Sequence, residues 1–207
     1  MEPRELFEKM FAYYGPQNWW PGEGFEIAIG AILTQNTSWA NVEKALANLK
    51  ANNILTPEKI LTCDDELLLQ LIKSTGFYNQ KAHYLKNLCE LWIRNPKPSR
   101  KALLSVKGIG DETADSILLY LLSKAEFVID AYTIRISRRI GFSKSYNKKF
   151  WKDFYMSKLD KDVQMFNEFH ALFVEHGKRF CRKKDPLCCV CFLNTDCNYG
   201  KKAINRD

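Results

Sequence analysis

The segment VKGIGDETADSILLYLL, residues 106–122, combines a tight turn with the start of an amphipathic helix. Two glycines, Gly108 and Gly110, flank a single apolar residue, so the backbone can turn sharply and approach another surface without a Cβ in the way. Beyond the turn, apolar residues recur with the i, i+3, i+4, i+7 spacing of a helix that buries one face. That face consists of Ala114, Ile117, Leu118, Leu121 and Leu122. The segment therefore predicts two helices joined by a glycine turn within residues 103–124.

The predicted turn is suited to holding an anion. The free N–H groups of the second helix and the positive end of its dipole point out of the turn, so a phosphate group can bind there without a side chain. Such a contact does not depend on base sequence. Lys107, directly before the first glycine, is predicted to add a phosphate contact. The same glycines also suit a simple packing turn between two helices.

The rest of the chain predicts an all-α protein. Helical periodicity dominates, and no run of alternating apolar and polar residues indicates a sheet. With 207 residues, 46% of them apolar, the chain can bury a sizeable core in one domain or two small lobes. A first helix is predicted to end before Gly15, and short helices to begin near Pro57 and Asp64. Longer helices are predicted at residues 22–34, 39–49, 78–95, 130–140, 147–157 and 162–176, the last of them stopping at Gly177.

The charge distribution favours a polyanionic partner. The formal net charge is +7 and the isoelectric point is about 9.0. Residues 131–152 include seven basic side chains and no acidic one, and residues 178–184 include five basic side chains. A run of charges also describes a solvated helix face. No segment approaches the roughly 20 apolar residues of a membrane span, and the N-terminal MEPRELFEKM lacks the layout of a secretory signal. We therefore expect an intracellular protein with no membrane partner.

Four of the seven cysteines follow the spacing C-x6-C-x2-C-x5-C near the end of the printed sequence. They are Cys181, Cys188, Cys191 and Cys197. An odd cysteine count with this clustering favours metal ligation over a disulfide framework. Four thiolates in one short segment repel one another unless a metal neutralises them, and the set suits an iron-sulfur cubane or a zinc ion. The metal would hold a basic loop in place, because Arg182, Lys183 and Lys184 lie between the first two cysteines.

Together with VIDAYTIRISRRIG at residues 128–141, the glycine turn and its helix resemble the helix-hairpin-helix plus Gly/Pro-Asp signature of the endonuclease III superfamily of DNA glycosylases. Three further segments resemble that family in the family's own order: LTQNT at 33–37, TGFYNQKA at 75–82 and FHALFVEHGKRFC at 169–181. The resemblance extends over nearly the whole chain.

The resemblance implies a two-lobed helix-hairpin-helix DNA glycosylase fold. One lobe would span residues 22–128 and contain the hairpin at 103–124. The other would combine residues 1–21 with 129–207 and carry a [4Fe-4S] cluster on the loop 181–197. The family also implies that the partner is double-stranded DNA with a damaged base. We expect a monomer that is cytoplasmic, at the nucleoid, if the source is prokaryotic.

By the same resemblance, Asp130 is the catalytic carboxylate. Cleaving an N-glycosidic bond builds positive charge on the sugar, and a nearby carboxylate can stabilise that charge or activate the attacking water. Capping the following helix is the structural alternative for this residue. Family members that also cut the DNA strand carry a lysine two residues after the second hairpin glycine. Strand cleavage requires an amine that attacks C1′ of the sugar to form a Schiff base. This chain has Glu112 there, which implies water as the nucleophile and a monofunctional enzyme.

The resemblance also implies roles in opening the duplex and reading the base. Gln35 matches the residue that fills the hole left by the extruded nucleotide, and Phe77 matches the residue that wedges into the opposite strand. Alternatively, Gln35 forms a hydrogen bond at a helix end, and Phe77 is an aromatic residue of the core. A dense aromatic set resembles the 3-methyladenine glycosylase subgroup and would stack on a cationic alkylated base: Trp19, Trp20, Pro21 and Trp39. Trp19 and Trp20 also suit packing of the N-terminal helix.

Three alternatives remain open at this point. The first is a bifunctional glycosylase and lyase acting on oxidised pyrimidines. The second is a non-catalytic DNA-binding module that uses the hairpin and the basic surface as a backbone clamp. The third places zinc, instead of the cluster, on the four cysteines.

Overall fold

The computed structural model describes residues 1–204 of the chain. Within these residues the secondary structure is helical and contains no strand, which confirms the predicted all-α class. Two compact units form, one from residues 20–124 and the other from residues 1–19 together with residues from 125 onward. The sequence placed the corresponding boundaries at 22 and 128, and residues 205–207 of the second predicted lobe lie outside the described residues. None of the described helices is long and apolar enough to cross a bilayer.

The unit of residues 20–124 is built from α2 to α8. These are α2 (Phe25–Leu33), α3 (Trp39–Ala51), α4 (Pro57–Thr62), α5 (Asp65–Ile72), α6 (Tyr78–Arg94), α7 (Arg100–Leu104) and α8 (Asp111–Ser116). A 3-10 turn at Lys73–Thr75 follows α5, and a π-helix at Ile117–Leu121 continues α8. The second of these differs from the regular helix that the sequence predicted through Leu122.

Helix α2 is the centre of this unit. Seven of its nine residues, from Ile27 to Leu33, are buried. It packs against α3, α6, α8 and the π-helix. An almost wholly apolar helix has no face for water, so it forms only where neighbouring helices surround it.

The other unit contains α1 and α9 to α12. These are α1 (Pro3–Tyr14), α9 (Ala131–Ile140), α10 (Lys148–Lys158), α11 (Val163–Arg179) and α12 (Asn198–Ile204). An aromatic core holds it together: Phe127 stacks on Tyr155 at 4.5 Å between ring centroids, and Phe169 stacks on Phe173 at the same distance. Such ring pairs add to the stabilisation that their burial provides.

Helix α11 corrects the prediction for Gly177. The sequence marked this glycine as the C-terminal stop, yet α11 continues through it to Arg179. The reason is packing, because a Cβ at this position would lie 2.2 Å from Cδ1 of Tyr132. Gly177 therefore lets the Tyr132 ring approach the backbone of α11 closely.

Candidate functional site

The predicted hairpin is present, with α7, a turn and α8 in sequence. Gly108 has φ +96°, and a Cβ there would lie 2.1 Å from Cγ of Tyr84, so both the backbone and the packing require glycine. Gly110 differs, because its φ is −93° and a Cβ would meet nothing within 4 Å. No contact within the described residues explains the glycine at 110, and the space in front of the start of α8 is open. Lys107 beside it is exposed.

A buried ion pair joins the two helices of the hairpin. Nε of Arg100 on α7 donates to Oδ1 of Asp115 on α8 at 2.7 Å, and the same guanidinium reaches Asp111 at the start of α8 at 2.5 Å. The Asp115 side chain is almost completely buried. A bidentate, partly desolvated pair of this kind fixes the angle between two helices more tightly than a surface pair does.

Gln35 is hydrogen-bonded to the hairpin. Its Nε2 donates to the carbonyl oxygen of Gly108 at 3.0 Å and lies 3.1 Å from Oγ1 of Thr113. Both partners lie at or just before the start of α8, so the structural alternative for Gln35, a hydrogen bond at a helix end, is present in this structure. Its role in filling an emptied base position stays a prediction.

Phe77 lies at the surface in a strained backbone conformation. It is 68% exposed, and its φ of 47° falls in the left-handed region. A bulky residue rarely adopts this conformation, and such strain is often kept for a functional reason. The core alternative for Phe77 is wrong. Its predicted role as a wedge remains a prediction, but the exposed ring is free to contact a partner.

Trp20 and Trp39 are brought together, with a third ring that the sequence did not identify. The two indoles meet edge to face at 5.1 Å between centroids, and Tyr120 lies 5.2 Å from Trp20. Tyr120 comes from the π-helix, a feature that often marks functional sites. Trp20 also packs on Gly30, where a Cβ would lie 3.2 Å from its Cζ2.

The other two predicted base-pocket residues are placed differently. Pro21 belongs to the same unit and, with Trp39, lines a surface pocket. Trp19 belongs to the other unit and is half-buried. Glu112, at the position of the family lysine, lies in the first turn of α8.

Asp130 is buried at the start of α9 and makes three polar contacts. Its Oδ1 accepts hydrogen bonds from the backbone N–H of Thr133 at 2.7 Å and from the Thr133 hydroxyl at 2.9 Å. Its Oδ2 lies 3.6 Å from Nε2 of His170 on α11. Asp130 therefore caps α9, which was the structural alternative to a catalytic role. Its other oxygen, Oδ2, faces the imidazole of His170.

These contacts determine the ionisation of Asp130. Burial raises the pKa of the carboxyl group, while the nearby His170 and the two Thr133 donors lower it by more, so that the pKa lies below its ordinary value. Asp130 is thus a buried carboxylate that stays charged at neutral pH. Sequence reasoning missed His170, although a single histidine within the otherwise apolar segment FHALFV, residues 169–174, could have indicated it.

The four predicted ligand cysteines line one pocket in the unit that contains α9 and α11. Apolar side chains close its walls: Ile136, Ile140, Phe180, Leu187 and Leu193. The backbone N–H of Gly200 donates to Sγ of Cys197 at 3.4 Å, and Nη1 of Arg139 donates to Sγ of Cys181 at 3.2 Å. Cys189 is exposed and does not line the pocket. Within residues 1–204, no three His, Cys, Asp or Glu side chains converge so as to hold a single metal ion.

Part of the basic sequence is used inside this unit. Arg135 donates to the carbonyl oxygens of Cys181 and Gly177, and Arg139 donates to those of Arg182 and Lys183. These arginines attach the cysteine loop to α9. The side chains of Arg182, Lys183 and Lys184 are exposed, so they supply the positive charge that faces solvent.

The chain is similar to known DNA repair proteins. A family model described as the HhH-GPD superfamily of base excision DNA repair proteins matches residues 29–154. A Methanocaldococcus jannaschii protein, whose name assigns it provisionally as a DNA repair glycosylase, is 44% identical over 93% of this chain and 94% of its own length.

Two solved structures share the fold. The H. pylori 3-methyladenine DNA glycosylase bound to 1,N6-ethenoadenine superposes with a TM-score of 0.77 at 28% identity, over 86% of this chain and 98% of that one. A trapped covalent complex of endonuclease III with DNA superposes with a TM-score of 0.86 at 24% identity, over 97% of this chain and 96% of that one.

The contact between His170 and Asp130 predicts a pH dependence of stability. Because the folded pKa of Asp130 is lowered, its contribution to stability is full above the unfolded pKa of about 3.9 and is lost as pH falls through the lower folded value. In His170→Phe the folded pKa rises toward or above the unfolded value. We expect the free energy of unfolding to increase less from about pH 3 to pH 5 in this variant than in the parent.

Urea unfolding of both proteins between pH 3 and 5 measures this difference. The other carboxylates contribute equally to both proteins and cancel. His83→Phe, an exposed histidine on α6, is the control and should keep the parent's pH profile. Identical slopes for His170→Phe and the parent would show that His170 does not determine the ionisation of Asp130.

Proposed function

The chain belongs to the HhH-GPD superfamily of base excision repair DNA glycosylases, and on this basis we propose that it hydrolyses the N-glycosidic bond of an alkylated purine such as 3-methyladenine, with Asp130 as its catalytic carboxylate. The observation that carries the proposal is the buried, ionised Asp130. Its partner is double-stranded DNA that contains the damaged base.

Asp130 has the properties that this reaction needs. As the base departs, the sugar gains positive charge, and a negative charge in a water-poor environment stabilises it more strongly than one in bulk water. The contacts to Thr133 hold Oδ1 in place, so the carboxylate needs little reorganisation during the reaction. Oδ2 accepts no hydrogen bond from Thr133 and is the oxygen we assign to the sugar or to the attacking water.

The hairpin supports water as the nucleophile. Glu112 stands where a lysine would be needed for a Schiff base, and a carboxylate cannot form one. Lys107 lies on the turn before α8, and we assign it to a DNA phosphate. Gly108 and Gly110 allow the backbone to approach that phosphate, and the exposed Arg182, Lys183 and Lys184 add further backbone contacts that carry no sequence information.

The aromatic side chains support an alkylated purine as the substrate class. N-alkylation makes a purine cationic, and the faces of indole and phenol rings attract a cation. Trp20, Trp39 and Tyr120 form such a cluster, and we assign Pro21, which belongs to the same unit, to the base pocket as well. The H. pylori relative that is named as a 3-methyladenine glycosylase has 28% identity to this chain. Because alkylation already weakens the glycosidic bond, a single carboxylate is sufficient.

The cysteine pocket fits a [4Fe-4S] cluster bound by Cys181, Cys188, Cys191 and Cys197. An N–H group and a guanidinium donate to two of the sulfur atoms, as is usual around ligating thiolates. Burial raises the pKa of Cys191 to about 11, so a compensating positive charge would favour its ionisation. A single zinc ion would need sulfur atoms about 3.8 Å apart, whereas the thiolates of a cubane each bind a different iron and stand farther apart. When bound, the cluster would keep the basic loop rigid.

Replacing Asp130 tests the catalytic assignment. Asparagine is also a good N-cap, so Asp130→Asn should keep the fold and DNA binding while slowing base release by about 1,000-fold, because only the charge is lost. Single-turnover release from duplexes with 3-methyladenine, 7-methylguanine, uracil or thymine glycol is the measurement.

The matched control is Asp162→Asn. Asp162 caps α11 through the N–H of Met165, as Asp130 caps α9, and its replacement should leave base release unchanged. A protein that binds DNA but releases no base from any duplex would be a non-catalytic DNA-binding module. Faster release of thymine glycol than of the methylated purines would contradict the substrate class.

Borohydride trapping tests the monofunctional assignment. We expect no covalent protein-DNA adduct from the parent protein, because Glu112 cannot form a Schiff base, and an adduct from Glu112→Lys. Denaturing gel electrophoresis after reduction shows whether the covalent protein-DNA adduct has formed. An adduct in the parent that disappears in Lys107→Ala would make Lys107 a nucleophile and the protein a bifunctional lyase.

Metal analysis tests the cofactor. Anaerobically purified protein should be brown, with about four iron and four sulfide per chain, and Cys197→Ser should lose most of the colour and unfold at a lower temperature. Cys189→Ser replaces an exposed neighbour of the ligands and should keep the colour. A colourless protein with one zinc per chain would establish the zinc alternative.

A further inference from the structure

Lys81 on α6 is a buried lysine with an unusual pair of partners. It is 2% exposed, and its Nζ donates to the carbonyl oxygens of Leu33 at 2.9 Å and Thr75 at 2.8 Å. Burial lowers its pKa to about 8, and among the described residues its ammonium group pairs with no carboxylate. A lysine is rarely buried without an acidic partner, because desolvating the charge is unfavourable.

The two carbonyl groups belong to the segments that carry Gln35 and Phe77. Leu33 is the last residue of α2, two positions before Gln35. Thr75 ends the 3-10 turn, two positions before Phe77. Both carbonyls lie at the C-terminal end of a helical segment, where the negative end of the dipole favours a cation. The ammonium group therefore joins two chain segments that are separated by more than thirty residues in sequence.

We propose that Lys81 is a positioning residue that holds Gln35 and Phe77 at a fixed spacing, so that both side chains enter the duplex as one unit. This proposal rests on the glycosylase function proposed above and on the roles assigned to Gln35 and Phe77. The backbone after Thr75 has positive φ at two residues, 66° at Gly76 and 47° at Phe77, and for the bulky Phe77 this conformation is strained. A strained turn keeps its shape only when its surroundings hold it, and the bond from Lys81 is such a constraint.

The constraint extends to the hairpin. Gln35, two residues beyond the first carbonyl, donates to the carbonyl oxygen of Gly108. The three segments of residues 33–35, 75–77 and 108–110 are thus connected by hydrogen bonds from Lys81 and Gln35. A protein that must displace one base from the stack needs such rigidity, because side chains on a flexible segment would move aside instead of displacing the base.

Comparing two DNA substrates separates positioning from general stability. In a fully paired duplex the lesion must be forced out of the stack, whereas a lesion opposite a one-nucleotide gap leaves the stack at little cost. We expect Lys81→Met to slow single-turnover base release from the duplex by about 100-fold, the scale of a misplaced contact of about 1 Å. Release from the gapped substrate should change by less than about threefold. An equal loss on both substrates would overturn the proposal, because a purely structural lysine predicts that result.

A double variant tests whether Lys81 acts through Phe77. If it does, Lys81→Met combined with Phe77→Ala should be no slower on duplex DNA than Phe77→Ala alone. Losses that multiply would contradict the proposal. Lys86→Met is the matched control, because Lys86 lies on the same helix and pairs with Asp65 at the surface. It should behave as the parent on both substrates.

A fluorescence measurement keeps the proposal testable without catalysis. In the Asp130→Asn background, 2-aminopurine opposite the lesion should brighten on protein binding, and Lys81→Met should abolish the increase while leaving the binding constant within about threefold. Lys81→Gln, which keeps N–H donors, is the second variant if Lys81→Met does not fold, and it should give a partial increase. If the parent protein, with Asp130 intact, releases no base from any substrate, brightening that depends on Lys81 would contradict the proposed function alone. Brightening that is unchanged in both variants would contradict the role of Lys81 alone.

Discussion

The charge on Asp130 depends on a helix cap, and the proposed chemistry depends on that charge. A buried carboxylate is normally driven toward its neutral form, because the charged form has lost its water. Here the N–H and hydroxyl of Thr133 and the imidazole of His170 replace that water. The bond that starts α9 also helps to keep Asp130 ionised, together with the larger contribution of His170. Capping and catalysis are therefore not competing interpretations of this residue, since a residue at the N-cap gains the donors that an ionised group requires.

Both compact units contain a buried charged group that contacts the backbone at the end of a helix. Asp130 lies at the N-terminal end of α9, where free N–H groups favour an anion. Lys81 contacts the C-terminal ends of α2 and of the 3-10 turn, where free carbonyl groups favour a cation. In both cases backbone groups at a helix end contribute to solvating the charge, although Asp130 also contacts the Thr133 hydroxyl and His170. A buried charge held by several fixed partners has little freedom to move, which suits groups whose position matters more than their contribution to stability.

Local signals predicted the elements well, and contacts between distant segments explain the exceptions. Thr56 and Asp64 cap α4 and α5 near the predicted starts, because capping depends on residues three apart. Gly177 was taken for a helix stop because glycine is common there, but its contact is with Tyr132, 45 residues earlier. The same limit hid His170, Lys81 and Tyr120, whose partners come from other helices. Periodicity identified Ala114 and Ile117 as buried, yet the π-helix that presents Tyr120 has no local signature that distinguishes it from a regular helix.

The basic sequence shows why counting charges differs from locating them. The basic run at residues 131–152 favours a polyanionic partner, but Arg135 and Arg139 donate from their guanidinium groups to carbonyl oxygens of the cysteine loop. Those groups stabilise the loop, while the exposed side chains of residues 182–184 present positive charge to solvent. A loop that carries cationic side chains repels itself, so it keeps one shape only when it is anchored. The arginines of α9 anchor it at its backbone, and the cysteine pocket beneath it supplies a second anchor. The internal arginines thus determine the position of the loop, and the exposed side chains of residues 182–184 determine the charge that the loop presents to solvent.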